Sequence, residues 1–221
     1  MLKINPIPVT HLNKYSTYIH GPIQRDEALF LYSLCKMVRP GLIVEFGLQD
    51  GLSSLNFCIA KDASCFHYGY DLDENSVNKT KEKCKNYKNC FFEKMNCIDF
   101  NSSKIGNKLI DICFLDCSHN LEINKICILK ILPCLSAQGI LAIHDTGNWS
   151  KVGFESAPES FKNSSKLARR FKTAVSVPAV RAEQLTVNWL LESHPEYSQI
   201  HFHSKNYFRH GITLIQKKNS L

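Results

Sequence analysis

The fold of this chain is decided by the stretch Val44-Glu45-Phe46-Gly47-Leu48-Gln49-Asp50-Gly51-Leu52-Ser53-Ser54. An apolar strand runs into a turn that holds two glycines, and the turn opens a helix for which Ser53 or the serine after it is a candidate N-cap. Gly47 allows a tight turn and a close approach of backbone to ligand, and Gly51 leaves room at the helix start. Gln49 stands where the dinucleotide fingerprint has its middle glycine, which disfavours a nicotinamide dehydrogenase.

Around this stretch, short apolar runs alternate with longer amphipathic segments, a pattern typical of βαβ units and a parallel sheet. The predicted strands are 42–46, 66–71, 90–95, 110–116, 140–144, 200–203 and 212–216. The predicted helices are 26–38, 53–60, 75–86, 121–135 and 183–193. The alternation therefore predicts an α/β fold with a buried sheet.

The whole-chain numbers indicate a globular enzyme. The chain has 221 residues, 44% of them hydrophobic and 21% charged, which fits residues 1–221 as one domain with a modest insertion. No apolar run approaches the ~20 residues of a membrane span. The first 21 residues are interrupted by polar and basic side chains and do not read as a signal peptide. We expect a cytoplasmic protein without a membrane partner.

The ten cysteines show no C-x-x-C pair, so their spacing predicts neither a zinc knuckle nor a redox dithiol. Several lie inside apolar runs, where a free thiol behaves as a small hydrophobe. We expect reduced cysteines packed in the core of a protein from a reducing compartment.

Polar residues follow three of the predicted strands. Asp71 ends the second strand, where an acid commonly hydrogen-bonds the ribose of a bound nucleoside. Asp116 and His119 follow the fourth strand, and His144 and Asp145 follow the fifth. Because ligands bind at the carboxyl edge of open α/β sheets, we expect these groups to converge on one crevice.

The motifs Glu45-x-Gly47-x-x-x-Gly51-x-Ser53, Asp71, Asp116-Cys117-Ser118-His119 and Gly139 through Asp145 together resemble the class I S-adenosylmethionine-dependent methyltransferases. The likeness is to the small-molecule branch that includes macrolide-sugar O-methyltransferases and cephalosporin hydroxylase-like proteins. It implies a Rossmann-like three-layer α/β/α sandwich with a seven-stranded, mostly parallel sheet whose last strand is antiparallel.

The resemblance also implies the cofactor, S-adenosylmethionine. Glu45, Gly47 and Gly51 would line its methionine end, and Asp71 would hold its ribose. Cys97 and Ile98 would flank its adenine. The full cofactor-binding set that the resemblance implies is Glu45, Gly47, Gly51, Ser53, Asp71, Cys97, Ile98 and Asp116.

In metal-dependent members of the family, Mg²⁺ is held at positions that match Asp116, His144 and Asp145, and a histidine that matches His119 is the proposed base. The resemblance therefore implies catalytic roles for His119, Asp116 and Asp145, with Mg²⁺ or another divalent ion as an option. This chain departs from the pattern at His144, where those members carry a carboxylate, and Mg²⁺ takes imidazole poorly.

These observations predict O-methylation of a small hydroxylated acceptor, a sugar or a secondary metabolite. Residues 148–178 lack a strand pattern and are predicted to form a lid or acceptor-binding insertion. One alternative is an RNA methyltransferase that uses the basic stretch 162–172. Others are a catalytically inactive binding protein on the same fold and a hydroxylase-like activity. A homodimer is suggested by the family alone.

Overall fold

The computed structural model describes residues 12, 23–147, 155, 159, 163, 182–204 and 210–218. Seven strands form one sheet: β1 (Leu42–Phe46), β2 (Phe66–Asp71), β3 (Cys90–Lys94), β4 (Ile110–Leu115), β5 (Leu135–Ile143), β6 (Tyr197–His203) and β7 (Gly211–Lys217). The strand order is β3-β2-β1-β4-β5-β7-β6. Strands β1 to β5 are parallel, and β7 runs antiparallel to both β5 and β6. The predicted mostly parallel sheet with an antiparallel last strand is confirmed.

Helices cover both faces of the sheet: α1 (Arg25–Val38), α2 (Leu52–Ala60), α3 (Glu74–Cys84), α4 (Leu121–Ile131) and α5 (Ala182–Ser193). One face packs on α1 and α2, where Ile43 and Phe114 meet Phe57 in a buried cluster. The other face packs on α4 and α5, where Val44 meets Ile128. Both faces are apolar because a parallel sheet is buried on both sides. The result is the predicted three-layer α/β/α sandwich.

Two predicted boundaries differ from the structure by four residues or more. The helix predicted over 121–135 ends at Ile131, and a short 3₁₀ turn, Leu132–Cys134, follows it. Pro133 in that turn has no N–H to continue the helical ladder. The fifth strand begins at Leu135 rather than at 140. The prediction missed its first four residues because they are half-buried or exposed and lack an apolar pattern.

The prediction of a serine N-cap for α2 is also wrong. The N-cap of α2 is Gly51, at φ 69°, and no side chain caps the helix. The hydroxyls of Ser53 and Ser54 instead donate hydrogen bonds to the two carboxylate oxygens of Glu45, at 2.5 and 2.6 Å. A serine placed two or three residues inside the helix is too late in the chain to reach the first free N–H groups.

Several predictions concern residues outside the described ranges. The insertion 148–178 is described only at 155, 159 and 163, and the basic stretch 162–172 only at 163. None of the helices in the described ranges is long and apolar enough to cross a membrane. All ten cysteines are free thiols, eight of them buried.

Candidate functional site

A cavity of about 330 Å³ opens at the carboxyl ends of β1, β2 and β4. The strand order reverses between β1 and β4, so this is the switch point at which open α/β sheets bind ligands. The volume lies in the range of small-molecule sites. The lining residues are Gly47, Gln49, Tyr70, Asp71, Leu72, Ser76, Met95, Asn96, Cys97, Asp116, Cys117, Ser118, His119 and Ile123.

The two glycines of the β1–α2 turn are required by their surroundings. Gly47 has φ 92°, and a Cβ there would lie 2.1 Å from the carbonyl oxygen of Asp116. Gly51 has φ 69°, and a Cβ there would lie 2.7 Å from Oγ1 of Thr80. Gly47 lines the cavity, whereas Gly51 packs beneath it against α3. Because these two positions have no side chain, the backbone of the turn packs directly on the loop that follows β4 and on α3.

Asp71 lies on the cavity wall and organises the same turn. Its Oδ2 accepts the backbone N–H groups of Leu48 and Gln49 at 2.7 and 3.1 Å, and its Oδ1 accepts that of Asp73 at 2.9 Å. A carboxylate offers about four acceptor sites. Three are occupied by backbone groups, which leaves capacity for about one ligand hydroxyl.

The residues after β3 form the neighbouring wall. Cys97 and Asn96 line the cavity, and the side-chain oxygen of Asn96 accepts the N–H of Ile98 at 3.3 Å. Ile98 itself packs against the core cluster between the sheet and α4. The sequence reasoning missed Asn96 and Tyr70 as lining residues. Their positions, directly after β3 and at the end of β2, are the signal that could have identified them.

His119 lies across the cavity with a carboxylate behind it. Its Nδ1 is 2.5 Å from Oε1 of Glu183, on the first turn of α5. Glu183 is buried, whereas about half of the His119 side chain is exposed. The hydrogen bond to Glu183 raises the pKa of His119 above its ordinary value, against the opposing effect of partial burial. Glu183 lies 64 residues away in sequence, so nothing local indicates the pair.

His144 lies behind Asp116 rather than on the cavity wall. Its Nδ1 is 3.1 Å from Oδ2 of Asp116 and 3.7 Å from Oδ1 of Asp145, and its Nε2 is 3.1 Å from Oε2 of Glu27. His210 lies 3.6 Å from the same Glu27 oxygen. All of these except Asp116 are buried.

These contacts shift the ionisation of the cluster. Burial lowers the pKa of His144, but the carboxylates of Asp116, Glu27 and Asp145 outweigh it and raise that pKa well above its ordinary value. Burial raises the pKa of Glu27, but His144 and His210 outweigh it and lower that pKa to about 2. The cluster therefore holds an imidazolium among three carboxylates.

This donor set does not fit the Mg²⁺ that the resemblance implies. Mg²⁺ takes oxygen ligands in a near-ideal octahedron, and one of the three predicted ligands is the imidazole of His144. Both ring nitrogens lie 3.1 Å from carboxylate oxygens, which favours a protonated ring over a metal-bound one.

Four of the predicted cofactor residues, Glu45, Gly51, Ser53 and Ile98, are not among the residues that line the cavity. Glu45 is fully buried, and its carboxylate contacts Ser53, Ser54 and His67 between the sheet and α2. Neither Glu45 nor Ser53 is among the lining residues. The structure thus brings Gly47, Asp71, Cys97, Asp116 and His119 together at the cavity and places the other predicted residues behind it.

Comparison with protein-family models and with curated proteins gives no match. Among solved structures, the chain is similar to an O-methyltransferase from Bacillus cereus in complex with S-adenosylhomocysteine (14% identity, 95% of this chain and 89% of that chain, TM-score 0.65). It is also similar to the O-methyltransferase of tomaymycin synthesis from Streptomyces achromogenes, in complex with S-adenosylmethionine (12%, 90% and 82%, 0.65). A third is an S-adenosylhomocysteine-bound methyltransferase from Podospora anserina (15%, 96% and 87%, 0.69). The chain therefore shares the fold of these proteins, as its motifs predicted.

Proposed function

We propose that this chain is an S-adenosylmethionine-dependent methyltransferase that acts on a hydroxyl group of a small molecule. The observation that carries the proposal is the cavity at the switch point, with the Asp71 carboxylate on one wall and the His119–Glu183 pair across it. The similar solved structures named above include O-methyltransferases with this cofactor or its product bound.

The cofactor half of the proposal depends on three strand ends. Asp71 retains an acceptor site for a ribose hydroxyl after it has bound three backbone N–H groups. Asn96 and Cys97 lie beside it, where a nucleoside base extends from a ribose held at Asp71. Gly47 presents bare backbone to the opposite end, where a side chain would collide with the Asp116 carbonyl. Bound S-adenosylmethionine would supply the methyl group to be transferred.

The acceptor half depends on His119. Because Glu183 faces Nδ1, the nitrogen that can accept a proton from an acceptor hydroxyl is Nε2. A buried carboxylate behind an imidazole fixes the ring orientation and stabilises the imidazolium that forms, as in other carboxylate–histidine pairs. His119 would take the hydroxyl proton while the oxygen lone pair forms its bond to the methyl carbon, whose bond to the sulfonium sulfur breaks as S-adenosylhomocysteine leaves. Asp116, on the same wall, would orient the acceptor.

A calorimetric titration with S-adenosylmethionine and S-adenosylhomocysteine tests the cofactor half. We expect micromolar binding that is lost in Asp71→Ala. The matched control is Asp50→Ala, which removes an exposed carboxylate of the same turn that pairs only with Lys79 in the described contacts. No binding of either compound to the unmodified protein would refute the proposed function.

Product formation tests the acceptor half. The protein is incubated with S-adenosylmethionine and a panel of small hydroxylated compounds, and S-adenosylhomocysteine release is measured. We expect turnover that His119→Ala lowers by 10²-fold or more, within the usual range for loss of a general base. Cofactor binding without turnover on any hydroxyl compound would favour a binding protein on this fold. Turnover on RNA, with a strong salt dependence, would favour an RNA methyltransferase.

A further inference from the structure

A second group of metal-ligand side chains lies outside the cavity, between the sheet and the helices α2 and α3. Cys58 is on α2, His67 is on β2, and Cys90 is the first residue of β3. One ligand atom from each lies within 4.8 Å of the other two. Cys84, the last residue of α3, is buried in the same apolar cluster as Cys58. None of the four residues lines the cavity.

The spacing of these atoms is close to a tetrahedral coordination sphere. The sulfurs of Cys58 and Cys90 are 3.3 Å apart, and the Cys58 sulfur is 3.7 Å from Nδ1 of His67. With Zn–S of about 2.3 Å and Zn–N of about 2.0 Å, a tetrahedral zinc site has S···S edges of roughly 3.8 Å and S···N edges of roughly 3.5 Å. Lengthening the S···S distance by about 0.5 Å and shortening the S···N distance by about 0.2 Å would bring these two pairs to the tetrahedral values.

His67 is held in the orientation that a metal ligand needs. Its Nε2 lies 3.0 Å from Oε2 of Glu45, and the Ser53 and Ser54 hydroxyls fix that carboxylate at 2.5 and 2.6 Å. A proton on Nε2, facing Glu45, leaves the lone pair of Nδ1 directed at Cys58. Metal-binding histidines commonly pair their second nitrogen with a carboxylate in this way. All of these side chains belong to buried residues.

The polar members of this cluster also favour a metal site over simple packing. Packing alone would place small hydrophobes next to one another, but it gives no reason for a buried histidine and a buried carboxylate in line with the sulfurs.

We propose that Cys58, His67 and Cys90 bind one structural Zn²⁺ and that Cys84, from the same buried cluster, moves in as its fourth ligand. The ion would join α2 and the end of α3 to β2 and the edge strand β3. With Cys84 bound, four protein ligands would close the coordination sphere, so the site would stabilise the fold and take no part in the chemistry. Three thiolates and one imidazole suit zinc and disfavour Mg²⁺ or Ca²⁺. This proposal does not depend on the methyltransferase proposal.

The first test is the metal content of protein that is purified without chelator and under reducing conditions. We expect about one zinc per chain by inductively coupled plasma mass spectrometry. We also expect that Co²⁺ exchanged into the site gives the intense thiolate-to-metal absorption of a tetrahedral complex. Neither zinc nor a Co²⁺ spectrum after reconstitution of the reduced protein would overturn the proposal. So would a Cys58–Cys90 disulfide in the freshly purified protein, detected by intact mass without reductant.

Variants then locate the ion. We expect Cys58→Ser/Cys90→Ser to lose the zinc, and Cys84→Ser to lower the thiolate absorption of the Co²⁺ protein by roughly a third, since one of three thiolates is gone. The matched control is Cys127→Ser, in the separate thiol cluster with Cys97 and Cys117. It should keep both signals. Zinc retained by the double variant, or lost only in the control, would place the ion elsewhere and refute the assignment. If the double variant misfolds, the proposal is still tested by the Co²⁺ spectra of the unmodified protein and of Cys84→Ser.

Discussion

Replacing Glu27 by glutamine should destabilise the protein more than any exchange of a surface carboxylate. The carboxylate is fully buried, accepts the Gly211 N–H at 2.7 Å and the Gln24 N–H at 2.9 Å, and lies 3.1 Å from Nε2 of His144. Glutamine keeps the shape but has only one oxygen. One of the two backbone donors therefore loses its acceptor, and the buried imidazolium of His144 loses a counter-charge.

The magnitude follows from these losses. A hydrogen bond to a charged group contributes about 1.5–3 kcal/mol, and breaking a buried ion pair by removing one partner costs about 3–5 kcal/mol in total. We expect Glu27→Gln to lower the free energy of unfolding by about 3–5 kcal/mol at pH 7. For a chain of this size, that corresponds to a fall in Tm of roughly 6–20 °C.

The pH dependence provides an internal check. The pKa of Glu27 is lowered from 4.5 to about 2, so its stabilising contribution is present above about pH 4.5 and is lost as the pH falls toward 2. The pKa of His144 is raised, so the contribution of its charge is present below about pH 6.5 and is lost as the pH rises through the folded-state value. The deficit of Glu27→Gln should therefore be largest between about pH 4.5 and 6.5, and it should narrow as the pH falls below about 4.5.

Urea denaturation of both proteins between pH 3.5 and 7 measures this deficit. The control is Glu122→Gln, which removes an exposed carboxylate 2.9 Å from Lys125 and should change stability by less than about 0.5 kcal/mol. A deficit under about 1 kcal/mol at pH 7, or one that stays constant across the pH range, would refute the interpretation of the cluster as a buried charge network.

Three further changes test other parts of the structure. Gly51→Ala should cost roughly 1–3 kcal/mol, measured by thermal denaturation, because alanine is strained at φ 69° and its Cβ meets Thr80; wild-type stability would contradict this. Asn120→Ala should cost about 1 kcal/mol, because its side chain caps α4 by accepting two N–H groups, whereas Asn120→Asp should keep the cap and most of the stability. In methyl-transfer assays, Glu183→Gln should move the pH–rate profile to lower pH, because Glu183 raises the pKa of His119 and a base must be neutral to act; an unmoved profile would remove His119 from that role.

The sequence predicts some elements well for identifiable reasons. The bounds of β1 and β2 agree with the predicted 42–46 and 66–71, because each is an apolar run that ends abruptly in a turn or an acid. The five described predicted site residues that meet at the cavity all lie within four residues of a strand end. Because ligand sites in such folds are formed by residues at strand ends, a correct prediction of the strand ends also predicts the residues of the site.

Contacts between distant elements could not be predicted in this way. Glu183 reaches His119 from a helix 64 residues later, and its own neighbours in sequence carry no catalytic pattern. The thiols of Cys58 and Cys90 are 32 residues apart and come from a helix and a strand, so no spacing rule for zinc ligands applies to them. Both pairs exist only because the sheet and its helices pack in one particular register.

Glu45 shows how strand geometry separates a motif from the site it predicts. Side chains alternate across a strand, so Glu45 shares a face with Ile43, which packs toward α1 and α2, while Val44 and Phe46 face α4 and α5. The residue after Phe46 is the first to reach the cavity, and it is a glycine. The acid of the motif therefore lies one layer below the cavity, where it accepts hydrogen bonds from two serine hydroxyls of α2 and contacts His67 of β2. In this chain the Glu45 carboxylate, which the resemblance assigns to the cofactor, instead orients His67. The turn after β1 lines the cavity through Gly47 and Gln49.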